Sequence, residues 1–183
     1  IARDPGYAEA FAGLADTYLF AALGYANMPS AEAFAKAEEA AARAIKIDDS
    51  VAEAHCAEGL AAMHHRWDLD RARKAFEKSI ALNPNHAPGH QFLAWCQFSN
   101  GDYSGAVETQ KRALALEHYG KGNKLYLQGK FADALSEYKH ALDSDQGFAL
   151  AYRGLGVTYA RLNKREKAID SYKAYLRLAP DAK

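Results

Sequence analysis

Residues 149–182 read ALAYRGLGVTYARLNKREKAIDSYKAYLRLAPDA, and this stretch decides the fold. Two amphipathic stretches, about 148–162 and 165–178, flank a short polar turn and carry apolar residues at helical rather than strand spacing. The first contains Leu155-Gly156 and Tyr159; the second opens on the small residue Ala168, with Tyr172 four places later. Ala179-Pro180 closes the second stretch, because proline removes a backbone donor and pushes its predecessor out of the helical region. The pattern predicts a helical hairpin whose small residues sit at the crossing and whose rings fill the space between the helices.

The same pattern recurs upstream. Residues 87–118, APGHQFLAWCQFSNGDYSGAVETQKRALALEH, turn at Asn100-Gly101-Asp102 and place Ala106 where the last unit has Ala168. Residues 118–148, HYGKGNKLYLQGKFADALSEYKHALDSDQGF, turn at Gln128-Gly129-Lys130 and place Ala134 there. Self-similarity at this period marks a repeat architecture, in which one hairpin cannot bury its apolar face alone and must stack on the next.

These residues resemble the tetratricopeptide repeat, a helix–turn–helix unit of about 34 residues. The family pattern has an aromatic fourth, Leu-Gly at seven and eight, Tyr at eleven, Ala at twenty, an aromatic at twenty-four, Ala at twenty-seven and Pro at thirty-two. Tyr152, Leu155-Gly156, Tyr159, Ala168, Tyr172 and Pro180 follow it, with Tyr175 in place of the second Ala. An earlier repeat supplies Phe11, Leu14-Ala15, Tyr18, Ala37, Ala41 and Ala44, with Asp49 at the Pro place, and the next supplies His55, Gly59, Ala72, Phe76, Ser79 and Pro84. The resemblance implies an all-α, right-handed solenoid of about five stacked repeats. It is closest in character to arrays that bacterial signalling proteins carry beside other domains.

Residues 1–183 are therefore expected to form a single array, with repeats at about 8–51, 52–86, 87–117, 118–148 and 149–182, and with 1–7 as the tail of a preceding repeat. Helices are predicted over about 7–23, 30–47, 51–65, 69–82, 87–99, 103–116, 118–128, 131–143, 148–162 and 165–178. Ser30 is expected to cap the second of these. The array is expected to be cut from a longer chain at both ends.

Three places depart from the period. Nineteen residues separate Tyr18 from Ala37 where the pattern allows nine, so about ten extra residues surround Gly24–Pro29. A tolerated loop or an extra helical turn is preferred there over a reading in which Tyr25 and Met28 reach over a binding face. In the second repeat Glu58 occupies a place for a buried Leu; a register shift that turns Leu60 inward is preferred over a buried carboxylate. At Glu117–His118 about five residues of the period are missing, so either two helices run together or residues are absent, and the expectation is the second.

Composition narrows the function. Lys+Arg and Asp+Glu stand at 23 each, without the basic excess that neutralises nucleic-acid phosphates. No run of apolar residues is long enough to span a membrane, and Ile-Ala-Arg-Asp-Pro at the start is not a signal peptide. Neither nucleic acid nor membrane is expected as a partner, and Cys56 and Cys96, too few to imply a disulfide framework, agree with a cytoplasmic setting. His86 and His90 are four residues apart and His64-His65 are adjacent, spacings that could suit metal ligands. No Cys-x-x-Cys or His-Glu-x-x-His accompanies them, and Phe11, His55, His90, His118 and Tyr152 share one repeat place, which marks a packing position. No metal, no cofactor and no catalytic residues are expected: Gly120-Lys121-Gly122 and Gly154-Leu155-Gly156 follow no strand, and no nucleophile sits on a strand–helix elbow.

By resemblance, the first helix of each repeat lines a concave groove. Carried over place by place, the groove comprises Asp16, Phe20, Cys56, Leu60, Met63, His64, Gln91, Trp95, Phe98, Tyr119, Asn123, Tyr126, Arg153, Val157 and Arg161, with Leu19 and Glu53 beside them. The subfamily that grips chaperone tails needs Lys at the place of Tyr119, so Asn123 alone does not match it. The expected function is a non-enzymatic scaffold that holds a partner peptide or helix in this groove, with Trp95 and Phe98 as anchors. The alternatives are a regulatory or spacer arm of a larger bacterial signalling enzyme or transcription regulator, its groove filled intramolecularly, and self-association through uncapped ends.

Overall fold

The computed structural model describes residues 6–25 and 28–180, and all their regular structure is helical. The helices are α1 (Ala8–Phe20), α2 (Ser30–Ile47), α3 (Ala52–Arg66), α4 (Leu69–Leu82), α5 (Ala87–Ser99), α6 (Tyr103–Leu127), α7 (Phe131–Ser144), α8 (Ala149–Arg161) and α9 (Arg165–Leu178). The chain divides into two compact units, Ile1–Thr109 and Gln110–Lys183, and the division falls within α6. In the first unit α1 packs on α2 and α3 on α4, while α3 also meets α1 on one side and α5 on the other, so that the three form one layer. In the second, α8 packs on both α7 and α9.

Two local devices repeat. Between the helices of a pair, one residue takes a left-handed backbone: Trp67 (φ 52°), Gly101 (φ 81°), Gly129 (φ 75°) and Asn163 (φ 58°). Between pairs, an Asx side chain closes the connection. Asp48 Oδ1 accepts from Ser50 N at 2.9 Å, Asn83 Oδ1 from Asn85 N at 3.1 Å, and Asp145 Oδ1 from Gly147 N at 2.9 Å. Such side chains hold the backbone in a turn after a helix ends.

One period after Asn83 stands Glu117, whose longer side chain does not make that turn, and there the helix does not end. α6 runs unbroken through 25 residues. In the chain as it stands, the two helices expected on either side of Glu117–His118 run together as one.

The extra residues of the first repeat also resolve. Ala21–Tyr25 continue α1 as a π-helical turn that breaks at Gly24 (φ 93°), and Met28 packs on Ala21, Ala22 and Ala33 rather than across a face. The side chain of Tyr25 lies outside the described residues. Ser30 is the first helical residue of α2 and Pro29 holds the cap position, so the expected Ser30 cap is not made; proline suits the place because it lacks a donor that the first turn would leave unpaired. Asp68 does cap α4, accepting from Arg71 N at 3.0 Å.

The core alternates small and large residues. Gly59 of α3 lies against the ring of Phe76, which is fully buried with Met63, Ala72 and Cys96. Gly156 faces Tyr172 in the same way. Burying a ring of this size contributes roughly 1.5–3 kcal/mol, and the glycines let the helices approach closely enough to enclose it. In the second unit Tyr138 packs with Ala134, Leu135 and Leu155.

Glu58 remains a half-buried carboxylate and has found a partner. Its Oε1 accepts from Arg71 at 3.0 Å, and Arg71 also donates to Glu38 Oε1 at 2.8 Å. Arg66 reaches the other oxygen of Glu38 at 3.1 Å. The ion network, rather than a register shift, makes a carboxylate tolerable at this place.

Candidate functional site

The layer made by α1, α3 and α5 holds a cavity of about 330 Å³. Asp16, Leu19 and Phe20 come from α1, Glu53, Cys56, Leu60 and His64 from α3, and Gln91 and Phe92 from α5. These side chains meet because residues one turn apart on a helix share a face, and three such faces lie side by side. Leu23 reaches the cavity from the π-helical turn, Phe34 from α2, His86 from the connection into α5 and Pro88 from the first turn of α5. None of these last four, nor Phe92, was expected from the sequence. Leu23 belongs to the inserted turn, and the repeat pattern has no place for it.

The lining is apolar with a charged patch. Burial raises the Asp16 carboxyl above its ordinary range, and the negative charge of Glu53 raises it further. Burial pushes the Cys56 thiol up to about 12, with Asp16 and Glu53 adding to the shift. His64 is lowered by burial. His86 is lowered by burial and by His90, against an opposing pull from Glu53, and its Nδ1 lies 3.0 Å from Ser79 Oγ. Burial thus biases both imidazoles towards the neutral form.

The remaining expected groove residues of the first unit divide. Trp95 is 46% exposed and tilts over His64 at 5.2 Å, while His64 stacks on Phe34 at 5.8 Å. An aromatic stripe therefore runs from α2 across α3 to α5. Phe98 is 57% exposed and meets the edge of Tyr103 at 5.2 Å. Met63 is 1% exposed and packs in the core with Phe76 and Cys96, so it offers no surface to the groove.

In the second unit the expected residues are largely engaged with one another. Asn123 Oδ1 accepts from the Tyr138 hydroxyl at 2.8 Å. Tyr119 packs on Tyr138 and edge-on to Phe148, and its hydroxyl accepts from Arg153 at 3.2 Å. Tyr126 meets the edge of Phe131. Val157 and Arg161 are exposed on α8.

Helix pairs joined by left-handed turns, with glycines facing rings, define a helical-repeat protein. The chain belongs to the tetratricopeptide repeat family: two family profiles of that description match residues 66–118 and 119–183. Similar solved structures include one titled for pilF of Pseudomonas aeruginosa, at 16% identity and a TM-score of 0.46, covering 92% of this chain and 78% of that one. MamA from Desulfovibrio magneticus RS-1 is 17% identical with a TM-score of 0.44, covering 94% of this chain and 97% of that one. YrrB, described as a TPR protein with an unusual peptide-binding site, is 24% identical with a TM-score of 0.43, covering 84% and 81%. No curated protein matches the chain significantly. No helix among the described residues is long and apolar enough to cross a membrane.

Proposed function

We propose that this chain is a non-catalytic protein-interaction module, and that the cavity of its first unit receives a short segment of a partner protein. The observation that carries the reading is the convergence of Asp16, Phe20, Cys56, Leu60, His64 and Gln91 on one cavity of about 330 Å³. That volume lies in the range of pockets that enclose a side chain or two, and mostly apolar walls with a few polar groups are the usual composition of such sites. Asp16 and Glu53 set the preference: a cationic side chain flanked by apolar ones satisfies both carboxylates and covers Leu60, Phe20 and Phe34. Trp95 and the second-unit residues Tyr119, Asn123, Tyr126, Arg153, Val157 and Arg161 belong to the proposed contact surfaces of their own units.

Phe20 is 63% exposed, so its replacement spares the fold. Selection from a random displayed-peptide library should enrich peptides with Lys or Arg beside apolar residues. Their binding, followed by fluorescence anisotropy, should weaken at least tenfold in Phe20→Asp and in Asp16→Lys. Enrichment of acidic peptides, or binding indifferent to both substitutions, would overturn the reading.

A further inference from the structure

In the first unit, histidines at the fourth place of a repeat look backwards. His55 Nε2 lies 3.0 Å from the Asp49 carbonyl oxygen and His90 Nε2 lies 3.0 Å from that of Pro84, each six residues earlier. Both carbonyls belong to the connection between repeats. His118 holds the same place, but α6 is continuous and no connection lies behind it. Its ring is therefore turned onto α7, where Nδ1 lies 2.8 Å from Glu137 Oε2 and the ring centroid lies 5.4 Å from that of His140.

Glu137 and His140 are three apart on α7 and so share one face. A Glu-x-x-His pair on one helix, opposed by a ligand from a neighbouring helix, is an arrangement that builds metal centres in helical bundles. One donor atom from each of His118, Glu137 and His140 lies within 4.8 Å of the others. An ion bonded at about 2.0–2.2 Å draws its ligands somewhat closer than that, and the exposed His140 ring is free to make the adjustment.

We propose that His118, Glu137 and His140 form a site for a transition-metal dication of the Zn²⁺ class, with solvent completing the coordination. Two imidazoles and one carboxylate suit Zn²⁺ and Co²⁺, whereas Mg²⁺ and Ca²⁺ prefer all-oxygen shells. Bound there, the ion would pin α6 to α7 where the usual turn is missing, and it would raise thermal stability by mass action.

The test uses the untagged full chain. Titration calorimetry with Zn²⁺ and the visible absorption of Co²⁺ should report one ion per chain. Zn²⁺ should raise the melting temperature, and excess Mg²⁺ or Ca²⁺ should not compete. Glu137→Gln and His140→Ala should each weaken binding at least tenfold, with His140→Gln as a second variant if the alanine protein unfolds. The double variant His86→Ala/His90→Ala should bind as the parent does. Full binding by the His140 variant would leave only a His118–Glu137 ion pair and overturn the site. So would absent binding, or binding lost in the His86/His90 variant.

Discussion

Gly154 leaves the space that the ring of Tyr138 fills: a β-carbon on Gly154 would stand 2.7 Å from Tyr138 Cε1, closer than packed carbons approach. Gly122 closes on the same ring from α6, at 2.6 Å for the equivalent atom, and the Tyr138 hydroxyl donates to Asn123. Enclosed in this way, the phenol is pushed up to about 12, chiefly by burial.

Gly154→Ala should therefore destabilise the second unit by roughly 1–3 kcal/mol, the range for overpacking a close-fitted site. Gly120, also in α6, has nothing within 4 Å of such a carbon. Gly120→Ala should stabilise by about 0.5–1 kcal/mol through the lower chain entropy of alanine in a helix. Urea denaturation of both variants measures the contrast, and two substitutions of the same sign would refute the packing account.

Trp67 carries a left-handed backbone, and the residue is 68% exposed. A side chain in this region costs about 1–2 kcal/mol, except for glycine and, in part, Asn and Asp. Trp67→Gly should raise stability by about 1 kcal/mol, whereas Asn163→Gly should change it by only a few tenths. Denaturation midpoints followed by circular dichroism compare them. A destabilised Trp67→Gly would mean that the ring holds more than its exposure implies.

Asp16 is a group whose folded form disfavours ionisation, through burial first and then Glu53. A carboxyl raised on folding makes its ionised form a cost at neutral pH, and the cost disappears as the pH falls below the ordinary aspartate range. Asp16→Asn should melt higher than the parent at pH 7 and equally at about pH 3. The same substitution should weaken binding of basic peptides, so stability and affinity should move in opposite directions.

Much of this was legible in the residues, because packing at a repeat crossing is local. Ala37, Ala134 and Ala168 announce the crossings, and Asn100-Gly101-Asp102 and Gln128-Gly129-Lys130 announce the turns. The continuity of α6 was harder to read, since losing five residues of period predicts a fault without saying how the backbone repairs it. The partner of Glu58 was hidden as well: Arg71 lies 13 residues on, and only the close packing of α3 on α4 joins them. Six of the residues that the family resemblance assigns to the groove reached the cavity lined by α1, α3 and α5. Met63 did not, because a helix rotated slightly about its axis exchanges a lining residue for a core one. Leu23 entered from the inserted turn and Phe34 from the second helix of its repeat, neither of which supplies a groove place in the family pattern, and His118 and His140, 22 residues apart, had no spacing to connect them.

Arg71 joins two carboxylates, and its removal should be felt as a function of pH. Burial alone would raise the Glu38 carboxyl, but hydrogen bonds from Arg71 and Arg66 outweigh it and hold the group below its ordinary value. A depressed carboxyl contributes stability that is present above its unfolded pKa and is lost as the pH falls through the folded one. Arg71→Met keeps most of the side-chain volume and removes the charge-assisted bonds to Glu38 and Glu58, which should cost roughly 1.5–3 kcal/mol at pH 7. As the pH falls through the depressed folded pKa of Glu38, the difference should shrink towards the loss of neutral hydrogen bonding. Glu38→Gln should flatten the acid limb of the parent's stability curve in the same window. Thermal melts of the three proteins from pH 3 to pH 7 measure it. A penalty for Arg71→Met that stays constant across that range would place the contribution of Arg71 in the packing of its aliphatic stem instead.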